Sequence, residues 1–202
     1  MLIAVGLGPG DPELLTLRAV RLLKEADKVF IPGEMAYDLV APYRSDAVML
    51  DFPMTNDESY IESCMEENAK KIAYPAIHGT VVFGIIGDPN FFSTFSRLTS
   101  ILRRDYPGIV CETVPGISAI TAFSSAAAIP ISKSFSVSDG SDPDVIIRLK
   151  VRRPREEADR LKQEGYCEFV LIERMYMDGM AIYSGDELPF ESSYFSILYA
   201  RK

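Results

Sequence analysis

Through its first 130 residues the chain alternates short apolar runs with stretches of helical periodicity, and glycine or proline closes several of the runs. The runs are Leu2 to Val5, Lys28 to Ile31, Ala47 to Leu50, Thr80 to Ile86 and Ile109 to Val114. Near-continuous apolar character over four to seven residues predicts strands buried on both faces, as in a parallel sheet. Between them, Leu14 to Ala26 carries Leu17, Val20, Leu22 and Leu23 on one stripe among Arg18, Arg21, Lys24 and Glu25, with Thr16 placed to cap the helix. Ser59 to Ile72, Phe91 to Arg104 and the small-residue stretch Ile117 to Ala128 read as further helices, the last suited to close packing on a sheet. Strand and helix in alternation imply right-handed crossovers and a doubly wound, mostly parallel α/β sheet.

Ile129-Pro130-Ile131 interrupts this alternation. Beyond it, Ser134 to Val137, Val145 to Leu149, Phe169 to Glu173 and Tyr194 to Ala200 are predicted strands, and Arg155 to Glu164 is the one clear helix. The reading is therefore α/β with two domains: 1–130, and a smaller α+β domain with a mixed sheet over 131–202. Arg148, Lys150, Arg152, Arg153 and Arg155 alternate along a predicted strand and read as a solvated face.

Composition removes several functions. Lys and Arg number 21 against 29 Asp and Glu, a formal charge of -8 that is the wrong sign for a phosphate backbone, so no nucleic-acid partner is expected. Cys64, Cys111 and Cys167 form no C-x-x-C pair, which argues against a zinc site or a disulfide framework and favours a reducing cytoplasm. A lone histidine, His78, excludes multi-histidine metal sites, and no bound metal is expected. Met1 to Val5 has no basic lead and runs into Gly6, so no signal peptide or anchor is expected there, and no apolar run approaches the ~20 residues of a membrane span.

Three loops carry the unusual residues: Gly6-Leu7-Gly8-Pro9-Gly10-Asp11-Pro12, Gly87-Asp88-Pro89 and Val114-Pro115-Gly116-Ile117-Ser118. Each follows a predicted strand, and ligands of open α/β sheets bind outside the carboxyl ends of strands, so the three are expected to meet at one site. The first is not a dinucleotide fingerprint, because Asp11 stands where the third glycine belongs and Pro9 lacks an N–H. No Gly-Lys-Ser/Thr occurs, and the loops hold no cation cluster for phosphate. A nucleoside without phosphates, gripped by backbone, hydroxyls and apolar contacts, fits such a lining.

These residues carry a resemblance. Val5 to Thr16, with Ala19, Ala26-Asp27 and Val29, then Gly87-Asp88-Pro89 and Val114-Pro115-Gly116-Ile117-Ser118-Ala119, resembles the tetrapyrrole (corrin/porphyrin) methyltransferases from end to end. Ile172-Glu173-Arg174 is similar to the family's glutamate-arginine segment. Gly87 to Phe95 and Tyr194 to Lys202 are most similar to the branch that methylates C20 of precorrin-2 or cobalt-precorrin-2. The resemblance implies an S-adenosylmethionine-dependent enzyme of cobalamin synthesis, a cytoplasmic homodimer acting on an anionic tetrapyrrole, with its cofactor in a cleft between two α/β domains. By motif position Pro9, Gly87, Asp88, Phe91, Ser118, Ala119 and Leu149 would line the cofactor site. Ile131 to Asp144 is shorter than in that branch, which bears on substrate specificity rather than on cofactor binding. Relatives acting at C11, at C17 or on uroporphyrinogen III, and diphthine synthases, share the loops. A nucleoside-sensing domain without catalysis is the alternative of another class.

Methyl transfer from a sulfonium to an electron-rich meso carbon needs a dry, well-aligned site more than a protein nucleophile. No catalytic base is assigned; Asp11 and Tyr37 are the best polar candidates, with helix or turn capping and a buried hydroxyl as their structural alternatives. Arg18, Arg21, Arg44 and Lys133 are the cations available to substrate carboxylates. Phe91, Phe92 and Met54 are placed to pack on a macrocycle or adenine, core packing being the default expectation for Met54.

Overall fold

Five parallel strands and the helices that connect them account for the first part of the chain in the computed structural model, which describes all 202 residues. Strands β1 (Leu2–Gly6), β2 (Lys28–Ile31), β3 (Val48–Met49), β4 (Val81–Ile85) and β5 (Cys111–Val114) lie in the order β3-β2-β4-β1-β5. From β1 the chain moves toward β3 through helices α1 (Leu17–Glu25) and α2 (Glu34–Val40). It then returns across the sheet through α3 (Glu58–His78) and α4 (Phe95–Asp105).

Period-two alternation sorts each strand between two cores. Ile3, Val5, Val29, Ile31 and Val82 meet Ala19 and Leu23 of α1 and Leu39 and Val40 of α2 on one face. Leu2, Ala4, Phe30, Val81 and Phe83 meet Met65, Ala69 and Ile72 of α3 and Leu98 and Leu102 of α4 on the other. Reversal of direction with change of face keeps every crossover right-handed, and the sheet is doubly wound as expected.

Caps fix the helix starts. Thr16 Oγ1 accepts from Ala19 N at 3.1 Å at the head of α1, the residue that the sequence singled out. Asp57 Oδ1 accepts from Ser59 N and Tyr60 N, both at 3.1 Å, and from the Ser59 hydroxyl at 2.6 Å, at the head of α3. Pro75 lies inside α3, which continues past the predicted end at Ile72 to His78. Helix α4 starts at Phe95 rather than Phe91, leaving residues 88–94 as a loop. Helix α2 was not foreseen; Ala36, Leu39 and Val40 bury its apolar side.

Helix α5 (Ala119–Ala126) departs from expectation in its packing, since none of its residues is buried. It follows the edge strand β5, whose Glu112 and Thr113 are exposed, so the sheet offers it little apolar surface. Residues 129–144 contain no helix or strand, so the strand expected over Ser134 to Val137 is absent. Ser134 and Ser136 flank a single aromatic there, and no neighbouring strand supplies backbone partners.

The chain divides into two compact units, Met1–Phe135 and Ser136–Lys202. In the second, β6 (Val145–Leu149), β7 (Glu168–Glu173), β8 (Ala181–Ser184) and β9 (Ser196–Arg201) form one sheet in the order β6-β9-β7-β8. All its pairings are antiparallel, where a mixed sheet was expected, because no helix crosses over between adjacent strands. Helix α6 (Pro154–Gln163) places Ala158 and Leu161 against Phe169, Leu171, Leu198 and Ala200. The basic cluster is largely engaged on the surface: Arg148 pairs with Glu157 at 3.4 Å, Arg153 with Glu156 at 3.3 Å, and Arg155 lies over the Phe190 ring. No helix is long and apolar enough to cross a membrane.

The bonds to Asp57 hold its carboxyl below the usual carboxylate range, the Ser59 hydroxyl being the largest cause. A lowered native value means that the cap's contribution is present above the unfolded carboxyl's pKa and is lost as pH falls through the native one. Asp57→Ala is therefore expected to lower the urea midpoint at pH 7, and the gap from the parent should close as the pH is taken below the ordinary carboxylate range.

Candidate functional site

Strands β4, β1 and β5 are neighbours and end level with one another, Gly6 standing opposite Ile85 and Val5 opposite Val114. Their three loops therefore leave the same edge of the sheet side by side. Leu7 N donates to Ile85 O at 2.8 Å, and Gly8 and Gly87 then exchange backbone bonds, Gly87 N to Gly8 O at 2.8 Å and Gly8 N to Gly87 O at 3.4 Å. The third loop closes on the first two. A carbon added at Gly6 would stand 2.6 Å from both Gly116 Cα and Gly87 O, and one at Gly116 would stand 2.7 Å from Gly6 Cα. No side chain fits there. Gly87 is needed for another reason: its φ of +75° is left-handed, although the space around it is open.

Asp88 locks this arrangement. It is 9% exposed; one carboxylate oxygen accepts from Gly116 N at 3.1 Å and the other from Asn90 N at 2.9 Å. Asn90 in turn donates through Nδ2 to Thr113 Oγ1 at 3.1 Å, tying the second loop to the strand that leads into the third. Sequence reasoning did not identify Asn90 or Thr113; an asparagine two residues after an aspartate in a tight turn is the signal that could have done so. Ser118 Oγ accepts from Ile120 N at 3.3 Å and caps α5.

Of the residues assigned by motif position, Pro9, Gly87, Asp88, Phe91, Ser118 and Ala119 lie in or beside these joined loops, Pro9 half-buried and Phe91 and Ala119 exposed. Leu149 is exposed at the end of β6 in the second unit. Asp11 Oδ1 accepts from Glu13 N at 2.9 Å and caps a 3-10 turn over Pro12–Leu14. The Tyr37 hydroxyl donates to Ser45 O at 3.2 Å. Met54 is fully exposed, against the default of core packing, because it sits in the loop after β3 rather than on a helix face.

The candidate cations separate. Arg44 is committed to structure: it donates to Leu23 O and Ala26 O at the end of α1 and pairs with Asp46 at 2.8 Å, which lowers the Asp46 carboxyl below its usual range. Arg21 pairs with Glu25 one helical turn away at 3.4 Å. Arg18 and Lys133 are exposed and have no carboxylate within ion-pair range. His78 stands exposed at the end of α3 against the edge of Tyr74.

Comparison with known proteins agrees with this geometry. Residues 1–180 match the model of the tetrapyrrole (corrin/porphyrin) methylases, and the chain belongs to that family. It is 30% identical over 208 residues to a probable cobalt-precorrin-2 C(20)-methyltransferase of Methanocaldococcus jannaschii, covering 93% of this chain and 89% of that one. It is 28% identical over 235 residues to a precorrin-2 C(20)-methyltransferase of a Sinorhizobium species, covering 95% and 92%. Among solved structures, a uroporphyrin-III C-methyltransferase of Thermus thermophilus is 25% identical with a TM-score of 0.52, covering 100% of this chain and 91% of that one.

If the Gly6–Gly116 approach holds the loops together, Gly116→Ala should cost about 1–3 kcal/mol of unfolding free energy, the usual penalty of overpacking. Gly108→Ala, where an added carbon meets nothing within 4 Å, is the control and should leave the urea midpoint near the parent's.

Proposed function

We propose that this methylase transfers a methyl group from S-adenosylmethionine to C20 of precorrin-2, with or without cobalt in the ring, in cobalamin synthesis. The observation that carries the reading is the meeting of three glycine loops at one sheet edge, in a chain similar over nearly its full length to two C20-methyltransferases.

The residues present fit an adenosyl sulfonium. Gly6 and Gly116 pack backbone to backbone, and beside them the space around Gly87 is open, so a ligand can approach the main chain there. The only charged side chains in the three loops, Asp11 and Asp88, are acidic, which suits a cationic ligand and disfavours a phosphate. We assign the lining to Pro9, Gly87, Asp88, Phe91, Ser118 and Ala119, all of the first unit. When bound, S-adenosylmethionine would supply an electrophilic methyl group, its carbon–sulfur bond breaking as the new carbon–carbon bond forms, so that a neutral thioether is left and the methylated ring gives up a proton to solvent. The chain's own part is positional. The Gly8–Gly87 bridge and the Asp88 bonds fix the loop backbone before ligand arrives, so little ordering entropy is lost on binding. Water exclusion and alignment then contribute to the rate, with no protein nucleophile required.

We also propose that the enzyme is a cytoplasmic homodimer. The three cysteines are unpaired, which fits a reducing compartment. Helix α5 has no buried residue although it carries Phe123, and Ile129, Ile131 and Phe135 beyond it are exposed as well; a second copy of the chain is the occupant that symmetric assembly supplies.

Calorimetry with S-adenosylmethionine is expected to show one site per chain, and an assay with cobalt-free and cobalt-loaded precorrin-2 is expected to yield a product methylated at C20. A product methylated at another carbon would overturn the assignment within the family. Light scattering should give twice the chain mass for the parent, and Phe123→Asp should shift the population to a single chain.

A further inference from the structure

The loop between β4 and α4 carries a feature that its role in joining the three turns leaves unexplained. Phe92 is 71% exposed and its backbone is left-handed, with φ at +50°. A bulky side chain in that region is strained, by about 1 kcal/mol or more, and such strain persists only where the surroundings impose it. They do so on both sides. Asp88 and Asn90 anchor the chain before Phe92, while Ser93 accepts from Phe95 N at 3.1 Å and from the Ser96 hydroxyl through its carbonyl at 3.0 Å beyond it. The fold holds this ring out into solvent and recovers no burial for doing so.

Other exposed apolar side chains occupy the same edge. Met35, 69% exposed, stands in the first turn of α2 just after β2, and fully exposed Met54 follows β3. Strands β3, β2 and β4 are consecutive neighbours, so these residues and Phe92 follow the carboxyl ends of three adjacent strands spanning about 10 Å. The glycine cradle lies over β4, β1 and β5, and β4 is common to both groups. Exposed aromatic and thioether side chains thus follow the strands on the side of the cradle away from β5.

From this we infer that Phe92 forms a platform on which the tetrapyrrole ring stacks, next to and separate from the adenosyl site. The inference rests on the functional reading given above. A partly conjugated macrocycle matches such a side chain, because it offers a broad π face to an aromatic ring. Adenine is assigned to the cradle, where the space beside Gly87 is open. An aromatic in an unstrained backbone would point elsewhere; the strain is the means by which the ring is aimed.

The test compares parent, Phe92→Gly and Phe92→Tyr in the full-length enzyme, using precorrin-2 and S-adenosylmethionine as probes. Phe92→Gly removes the ring and relieves the left-handed strain, so its melting temperature should equal or exceed the parent's. Its KM for precorrin-2 should rise by about tenfold, the equivalent of a lost aromatic contact, while kcat and the calorimetric Kd for S-adenosylmethionine stay within about twofold. Phe92→Tyr should restore the parent KM. An unchanged KM overturns the inference, as does a parallel loss of S-adenosylmethionine affinity, which would place the ring in the adenosyl site. A lowered melting temperature with unchanged KM would make Phe92 a packing residue and overturn it too. Failure of the underlying functional reading shows earlier and elsewhere, as a parent enzyme that binds neither probe.

Discussion

Main-chain contact among Gly6, Gly87 and Gly116 is the constraint on which the site depends. Three strand ends are brought closer than any side chain permits, and the polar groups exposed by so tight a junction must be satisfied locally. Asp88 does this with a single carboxylate, one oxygen for Gly116 N and the other for Asn90 N. Replacing it with an apolar group would remove the partner of both Gly116 N and Asn90 N and untie the second loop from the third. The charge at Asp88 therefore has a structural explanation independent of any ligand, and the ligand inherits the rigid backbone that it produces.

Sheet topology delivers the loops to that junction. Because β1 lies between β4 and β5 and all three end in register, the loops need no long excursion to meet. Two separate cores hold the register: β1 alternates Leu2 and Ala4 into one and Ile3 and Val5 into the other. A slip of one residue would exchange those sets and also carry Gly6 away from Gly116. Stability of the core and geometry of the site are thus the same specification, made at a few strand positions.

Much of this was legible in the sequence, and the reasons are specific. Apolar runs such as Leu2 to Val5 and Thr80 to Ile86 can be buried only on both faces, so the parallel sheet followed from period alone. Thr16 could be named as a cap because threonine before a stripe of leucines has that local use. The loops could be expected to meet because glycine and proline cluster after strands. What lay hidden depends on long-range partners. Helix α2 has only seven residues, too few for its periodicity to stand out, and its apolar face is evident only once Ala36, Leu39 and Val40 are seen buried. Arg44 looks like any surface cation, and only folding brings it to the carbonyls of Leu23 and Ala26. The small-residue helix α5 was given a sheet to pack on, but an edge strand with exposed Glu112 and Thr113 does not provide one.

Charge explains why recognition at this edge is divided as it is. The proposed ligand carries carboxylates while the chain's formal charge is -8, and of the four cations weighed for it Arg44 is bonded to helix carbonyls and Arg21 to Glu25. Arg18 and Lys133 remain, both in solvent, where a single ion pair contributes roughly 0–1 kcal/mol. Coulomb attraction of that size cannot by itself fix the orientation of a large ring. Dispersion and desolvation of a flat apolar face do not depend on the sign of the protein's charge, so they are the forces left to position it. Electrostatics then acts at the periphery, at the carboxylate arms, while the ring centre is read by shape. The division matches what the sheet edge provides: a backbone cradle over β4, β1 and β5 whose charged side chains are acidic, and an exposed aromatic held in strain beside it.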